Sequence, residues 1–247
     1  MNKTIRKLAA LAALALPVSA MADPVIVVLP DGNSPATVGG YTMTAFNTSD
    51  LQTTCKGTGA VQFRDNKDVG PLRGVTSVKS PINGDIEFHN QGGNSPLCVG
   101  VDDPGNATWW EHADHGTVFT TTRNWIELVM PADTRAFSLF VGGVSGIGWI
   151  EAIVDGVSVR QDFGGNSGIA FGAGHTPGFG VYSTDKCSSI SKIIIEPHWE
   201  WGPGHFAINQ DPCSHEVPEP APMLLLMTGL FGLALSRRFN KTVSSTS

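Results

Sequence analysis

The sequence is poor in positive charge. Its 247 residues include 16 Lys and Arg against 22 Asp and Glu, a formal net charge of −6. Six of the basic residues lie near the two ends, so residues 23–216 keep 10 basic and 21 acidic residues, a net charge of −11. A surface this acidic argues against binding to nucleic acid or to anionic membranes. It does supply carboxylates, which are the ligands that calcium prefers.

Familiar catalytic motifs are also missing. The sequence has no Gly-x-Ser-x-Gly elbow, no His-Glu-x-x-His pair and no Gly-rich loop carrying the Lys of a phosphate site. We therefore expect no enzymatic activity. One enzyme class stays open, because glycoside hydrolysis needs two facing carboxylates and the sequence cannot tell which acidic residues face each other.

The beginning of the chain is typical of a secretory signal peptide. Lys3, Arg6 and Lys7 precede the apolar residues 8–16, and Ala20-Met21-Ala22 is a small-x-small cleavage site. We expect export by the Sec machinery and a mature chain that begins near Asp23. Val18-Ser19-Ala20 is a second cleavage site of the same type.

The end of the chain has three consecutive parts. The residues Val217, Pro218, Glu219 and Pro220 are followed by the apolar residues 221–235 and then by Arg237 and Arg238. As a helix, this apolar run would span about 22 Å, against about 30 Å for a bilayer core. The basic residues would hold its end on the cytoplasmic side. Since proline cannot continue into the helix, the lead-in should stay extended and accessible to a protease.

This tripartite tail resembles the PEP-CTERM sorting signal of Gram-negative bacteria. The resemblance implies that an exosortase, a membrane protease, recognises the Pro-Glu-Pro element, removes the tail and releases or transfers the protein at the cell surface. The tail would anchor the chain transiently in the inner membrane through its helix. The alternative is a permanent C-terminal anchor. The expected organisation is a signal peptide (1–22), one domain (23–216), a sorting segment (217–241) and a short polar tail (242–247).

Four cysteines lie in the mature region: Cys55, Cys98, Cys187 and Cys213. An even number in an exported chain indicates two disulfides, for which the sequence allows three pairings. We favour Cys55–Cys98 with Cys187–Cys213, because that pairing closes the shorter loops, and each bridge would contribute about 2–4 kcal/mol. A zinc site is the alternative, which the absence of a Cys-x-x-Cys spacing disfavours.

The mature region is predicted to be all-β. Short apolar, β-branched and aromatic runs alternate with Gly, Pro, Asn and Asp, and no capped helical period occurs. Asp155-Gly156 between alternating segments predicts a type I′ hairpin turn. The runs favour an antiparallel β-sandwich of the jelly-roll kind. The predicted strands are 25–29, 41–46, 85–89, 117–121, 126–130, 137–141, 149–154, 157–163, 179–182, 190–196 and 205–209.

The strand pattern from residue 136 to residue 209 resembles one seen in many exported PEP-CTERM proteins. Those domains are similar to carbohydrate-binding-module jelly rolls, and their closing strand often carries Asp where this chain has Asn209. The resemblance implies the same sandwich fold and gives some support to glycan binding.

Tryptophans are the main candidates for ligand binding. Trp199 and Trp201 would share one face of a strand and could form a platform for the rings of an exopolysaccharide. The alternative is that one or both fill the core. Trp109 and Trp110 are further candidates for the platform, whereas Trp125 and Trp149 lie inside strand-like patterns and are expected in the core.

Two polar segments could hold a metal ion. Asp102, Asp103 and Asn106 offer oxygen ligands for calcium, the one cofactor that the sequence suggests, although an Asx turn explains the same residues. His112 and His115, with Glu111 and Asp114, could bind a divalent metal or form a polar surface loop.

These observations predict an exported, exosortase-sorted protein of the cell surface or extracellular matrix. Its role would be structural or adhesive and non-enzymatic, with glycan recognition as the sharper form. The alternatives are a secreted polysaccharide-cleaving hydrolase and a module that binds another surface protein.

Overall fold

The computed structural model describes most of the mature region. The described residues are 23–30, 34–48, 51, 74–90, 93–94, 96–101, 117–121, 124–143, 146–172, 175–197 and 201–213. At positions 98, 100, 101, 117, 118 and 120 only the backbone is described. The chain divides into two compact units, Met1–Pro212 and Cys213–Ser247. All described residues except Cys213 belong to the first unit.

The described residues form strands and turns without a helix. The sixteen strands within these ranges are β1 (Pro24–Leu29), β2 (Thr37–Val38), β3 (Tyr41–Thr42), β4 (Thr44–Ala45), β5 (Ser77–Lys79), β6 (Asp85–Asn90), β7 (Gly93–Asn94), β8 (Cys98–Val101), β9 (Thr117–Thr120), β10 (Ile126–Val129), β11 (Thr134–Gly143), β12 (Ile147–Val154), β13 (Val157–Gly164), β14 (Gly178–Ser183), β15 (Ile190–Pro197) and β16 (Trp201–Gln210).

Two antiparallel sheets contain nearly all of these strands. The first sheet has the order β1-β14-β11-β16-β9-β8, with β4 also paired to β16. The second sheet has the order β13-β12-β15-β10-β6-β5, with β7 also paired to β6. The strands β2 and β3 form a separate ribbon. The consecutive strands β14, β15 and β16 alternate between the two sheets, as they do in a jelly roll.

The hairpin of β12 and β13 illustrates how the sequence forms these sheets. Asp155 and Gly156 both have positive φ, 47° and 82°, as a type I′ turn requires. The turn sets Val154 opposite Val157 and Ala152 opposite Val159. Because side chains alternate along a strand, Ile150, Ala152 and Val154 are buried while the residues between them are partly exposed.

The hydrophobic core lies between the two sheets. It contains Phe137, Leu139 and Phe179 from the first sheet, together with Ile150 and Ile193 from the second. Burying such a side chain contributes about 1.5–3 kcal/mol. Four rings form a cluster in this core, with centroids 5.2–6.3 Å apart. They are Phe46, Phe119, Phe137 and Phe206.

The outer face of the first sheet is covered by the β2–β3 ribbon. Val38 is only 3% exposed, and a side chain at Gly180 would lie 2.8 Å from its Cγ1. Gly39, with φ of 58°, packs so closely on the Tyr182 ring that a Cβ there would lie 2.3 Å from it. The ribbon thus covers the outer face at β14, and every residue of the neighbouring strand β11 is buried. Outer positions of the second sheet, such as Glu87, Arg160 and Asp162, are exposed.

The predicted all-β antiparallel sandwich is confirmed. Ten of the eleven predicted strands correspond to observed strands, with bounds shifted by a few residues. The predicted strand 41–46 is instead divided into β3 and β4, since residue 43 belongs to neither. The strand β16 begins earlier than predicted, at Trp201, because Gly202, Pro203 and Gly204 join it despite their weak preference for strands.

Candidate functional site

The described tryptophans differ in burial: Trp201 is buried, whereas Trp125 and Trp149 are partly exposed. Trp201 is 1% exposed and belongs to the hydrophobic core between the sheets. The predicted platform of Trp199 and Trp201 is therefore wrong for Trp201, and the core-filling alternative is correct. Trp199, Trp109 and Trp110 lie outside the described residues.

Trp149 and Trp125 were expected in the core, and the structure corrects this expectation. Both side chains are half-buried, and neither belongs to the core. Trp149 lies on the outer face of β12, two residues from Glu151 and out of phase with the buried Ile150 and Ala152. The alternation of apolar and polar residues around the Asp155-Gly156 turn could have predicted the outward position of Trp149, because it assigns inward and outward positions on β12.

Glu196 lies between these two tryptophans. Trp149 is the cross-strand partner of Glu196, and Ile126 is the partner of Ile195. Trp125 immediately precedes Ile126, so continuing the same register sets it opposite Glu196 from the other side. Neighbouring strands are about 4.8 Å apart, so the two tryptophan backbones are about 10 Å apart across the sheet. We call Trp125, Trp149, Glu151 and Glu196 the Trp–Glu face.

An arginine packs on one of the indoles. The Arg160 guanidinium carbon lies 4.3 Å from the centre of the Trp149 ring. The Nε of Arg160 donates to Oδ1 of Asp162 at 3.0 Å, and both side chains are more than half exposed. A cation over an indole contributes about 0.5–1 kcal/mol at an exposed site. Together these contacts fix the orientation of the guanidinium beside the Trp–Glu face.

Several other charges on this outer surface are paired. The Lys192 ammonium lies 2.5 Å from a carboxylate oxygen of Glu127, and the His89 ring lies 3.0 Å from Glu87. Glu127 is nearly buried, with 11% of its side chain exposed. Within the described part of the chain, no ion pair involves Glu151 or Glu196. These two carboxylates are therefore unpaired acceptors next to Trp149.

The predicted metal-binding segments cannot be compared with the structure. Asp102, Asp103 and Asn106 lie outside the described residues, as do His112 and His115. Among the residues that the structure describes, no three His, Cys, Asp or Glu side chains are grouped closely enough to hold a metal ion. The calcium site stays a prediction.

The cysteines are consistent with an oxidised protein. Cys187 and Cys213 are each disulfide-bonded, and no described cysteine has a free thiol. Cys55 lies outside the described ranges, and only the backbone of Cys98 is described. The pairing of Cys187 with Cys213, and of Cys55 with Cys98, stays a prediction.

The last strand of the sandwich ends in a network of hydrogen bonds. The Gln210 amide oxygen accepts from the Ser80 hydroxyl at 2.6 Å and from the Asn83 backbone at 3.0 Å. Its nitrogen donates to the carbonyls of Asn83 and Ala132, both at 2.9 Å. Next to it, the buried Arg135 donates to the Asp211 carbonyl at 2.8 Å. These hydrogen bonds hold the end of β16 and the following residue, Asp211, which lies five residues before residue 216.

Comparison with known families identifies the segment that begins at that residue. Residues 216–238 match the PEP-CTERM protein-sorting motif. The match includes the Val217–Pro220 segment and reaches Arg238, so the predicted sorting signal is confirmed. The chain is therefore an exported, exosortase-sorted surface protein. In the ranges described, no helix has both the length and the apolarity to cross a bilayer. The predicted helix at 221–235 and the signal peptide lie outside those ranges.

Comparisons with whole proteins add little. No curated protein matches the chain. One solved structure, that of TmCBM61 in complex with beta-1,4-galactotriose, is 14% identical and matches 47% of this chain and 90% of its own. The TM-score of this match is 0.22, so nothing is inferred from it.

Proposed function

We propose that the sandwich is a non-enzymatic adhesive module of the cell surface or extracellular matrix, and that it binds exopolysaccharide. The observation that supports this most is the Trp–Glu face, where Trp149 and Trp125 lie half-exposed on either side of Glu196. Indole rings stack on the apolar C–H faces of sugars, and nearby carboxylates accept hydrogen bonds from sugar hydroxyls. Sorting to the surface brings such a face to the polymers found there.

The position of this face favours binding to an extended polymer. The outer surface of the second sheet is open, as the exposed side chains of Glu87, Arg160 and Asp162 indicate. A long chain can lie along an open sheet, whereas a small ligand usually needs a concave pocket. The calcium predicted at Asp102, Asp103 and Asn106 is a separate part of the proposal.

The test is a binding measurement with the purified full-length chain in detergent. Bacterial exopolysaccharides and simple glycans would be titrated in the presence of calcium and then of a chelator. We expect saturable binding to at least one polysaccharide. Loss of binding with the chelator would show that an acidic loop takes part. No binding to any polysaccharide would contradict the proposal, and recovery of a crosslinked surface protein without glycan would favour a protein-binding module.

A second candidate function is hydrolysis of a polysaccharide. Glu151 pairs with Ile194, and Glu196 lies two residues further along the same strand, so the two glutamates are diagonal neighbours. Diagonal neighbours on a sheet are about 7–8 Å apart. From backbones at that spacing, two glutamate side chains can reach the separation of about 6.5–9.5 Å that the carboxylates of inverting glycosidases have. Release of reducing ends from a polymer that binds, abolished by Glu196→Gln, would establish the hydrolase instead.

A further inference from the structure

The charges around the two tryptophans indicate which kind of polysaccharide would bind. The described outer positions of the second sheet carry six carboxylates and three basic groups. The carboxylates belong to Asp85, Glu87, Glu127, Glu151, Asp162 and Glu196. The basic groups belong to Lys79, Arg160 and Lys192. This surface would repel an anionic polymer and attract a cationic one.

Two of the carboxylates without an ion pair, Glu151 and Glu196, lie beside Trp149. Lys192 neutralises Glu127, and Asp162 neutralises Arg160. Glu196, in contrast, is the cross-strand partner of Trp149, and Glu151 lies two residues from Trp149 on the same strand. A carboxylate beside an indole is suited to a protonated amine, because the carboxylate accepts its N–H groups and the ring face attracts its charge.

We propose that the Trp–Glu face binds a polysaccharide with free amino groups, such as a deacetylated amino sugar. This inference rests on the proposed adhesive function and specifies its ligand. The sugar ring would stack on Trp125, because the Arg160 guanidinium already covers a face of Trp149, and its ammonium group would donate to Glu196. Arg160 lies at the border of this face and faces the indole, so it would meet the uncharged hydroxyl groups of the sugar.

The test uses the full-length chain and three soluble oligosaccharides of equal length. One is a glucosamine oligomer, the second is its fully N-acetylated form, and the third is a galacturonate oligomer. At a slightly acidic pH, where the amines are protonated, we expect the glucosamine oligomer to bind most tightly and the galacturonate oligomer not to bind.

Two variants examine the face itself, and a third is the matched control. Glu196→Gln removes one negative charge without changing the size of the side chain, and it should weaken binding of the glucosamine oligomer about tenfold or more. Trp125→Ala should weaken it by a similar factor. Asp155→Asn also removes one negative charge, but at the hairpin turn, where Asn tolerates positive φ. It should change the affinity by less than about twofold.

The outcomes separate this inference from the proposed function. If Glu196→Gln and Asp155→Asn weakened the affinity for the glucosamine oligomer equally, net charge alone would attract the amine. The proposal that the amine binds at the Trp–Glu face would then be wrong. Equal affinity for the acetylated oligomer would overturn the preference for amines but leave glycan adhesion intact. If neither these oligomers nor the wider set of polysaccharides binds, the adhesive function itself fails.

Discussion

Arg135 is a single side chain on which several segments depend. It is 1% exposed. It donates to the carbonyls of Cys187 and Asp211 at 2.6 and 2.8 Å and to the Ser189 hydroxyl at 2.9 Å, and it also contacts an Asp133 carboxylate oxygen at 3.2 Å. A buried guanidinium is tolerated because these acceptors replace its water.

Replacing Arg135 with Ala should therefore be costly. The part-buried hydrogen bonds to the carbonyls of Cys187 and Asp211 would be lost together with the packing of the buried side chain, and the free energy of unfolding should fall by about 3 kcal/mol. The matched control is Arg160→Ala. The Arg160 side chain is 52% exposed, so this variant should lower the free energy of unfolding by about 1 kcal/mol or less. Urea denaturation of both variants checks this. Equal losses would show that the Arg135 contacts contribute little.

A comparison of two tryptophans tests the same distinction between inside and outside. Trp201 is 1% exposed, and Trp201→Ala should lower the free energy of unfolding by about 3–5 kcal/mol through the cavity it leaves. Trp149 is half-buried, so Trp149→Ala should cost about 1 kcal/mol, mainly through its contact with Arg160. The measurement is again urea denaturation. If Trp149→Ala lowered the free energy of unfolding as much as Trp201→Ala does, Trp149 would belong to the core after all.

At the scale of the elements, turns with positive φ fix how strands pair. Gly156 has φ of 82°, and a Cβ there would have no atom within 4 Å. Gly156→Ala should therefore cost about 1–2 kcal/mol through backbone strain alone, since no side chain must move. Asp155→Asn should change stability by less than about 0.5 kcal/mol. Thermal unfolding of both variants measures the difference. A neutral Gly156→Ala would mean that the hairpin adopts another turn.

The β2–β3 ribbon is attached to the first sheet by a tyrosine. The Tyr41 hydroxyl donates to the Ser183 carbonyl at 3.2 Å. Burial raises the pKa of Tyr41 above its ordinary value of 10.0; the Asp185 and Asp211 carboxylates add to this, and Arg135 opposes it. Because the folded protein then holds the proton more tightly than the unfolded chain, stability should fall as the pH rises past about 10.

The matched variant for this effect is Tyr41→Phe. It keeps the ring and removes the ionisable hydroxyl, so its melting temperature should fall less steeply between pH 9 and pH 11 than that of the parent chain. Parallel thermal melts across that range give the comparison. Identical slopes would indicate that Tyr41 does not contribute to the alkaline loss of stability.

At the scale of the whole molecule, the folded domain and the sorting motif are separated by few residues. Gln210 and Asp211 are held by hydrogen bonds, and the motif begins at residue 216. An extended chain spans at most about 3.5 Å per residue, so this spacer reaches less than about 20 Å.

Removal of the tail is expected to depend on the Pro-Glu-Pro element. Glu219→Ala should leave the chain unprocessed and retained with the membrane, whereas the control Asp155→Asn, at the hairpin turn outside the motif, should be sorted normally. The measurement is the mass of the protein in surface and membrane fractions of cells with and without an exosortase. A surface form that still contains residues 221–247 would contradict cleavage and favour a permanent anchor.

The sequence by itself determined the destination of this protein and its class of fold. The sorting signal is linear, so the order Val217–Pro220, apolar run and Arg237-Arg238 could be recognised without a structure. The strands could be predicted because their alternation and turns are local, and the Asp155-Gly156 hairpin formed as expected.

Only the tertiary structure decided which tryptophans are inside. Alternation along a strand defines two faces, but which face is buried depends on what packs against the sheet, and that is a long-range property. The β2–β3 ribbon covers the first sheet, Trp201 lies in the core, and the outer face of the second sheet keeps Trp149 beside Glu196. The alternation on β12 already pointed Trp149 outward, but its position beside Glu196 depends on the pairing of β12 with β15, which no local pattern specifies.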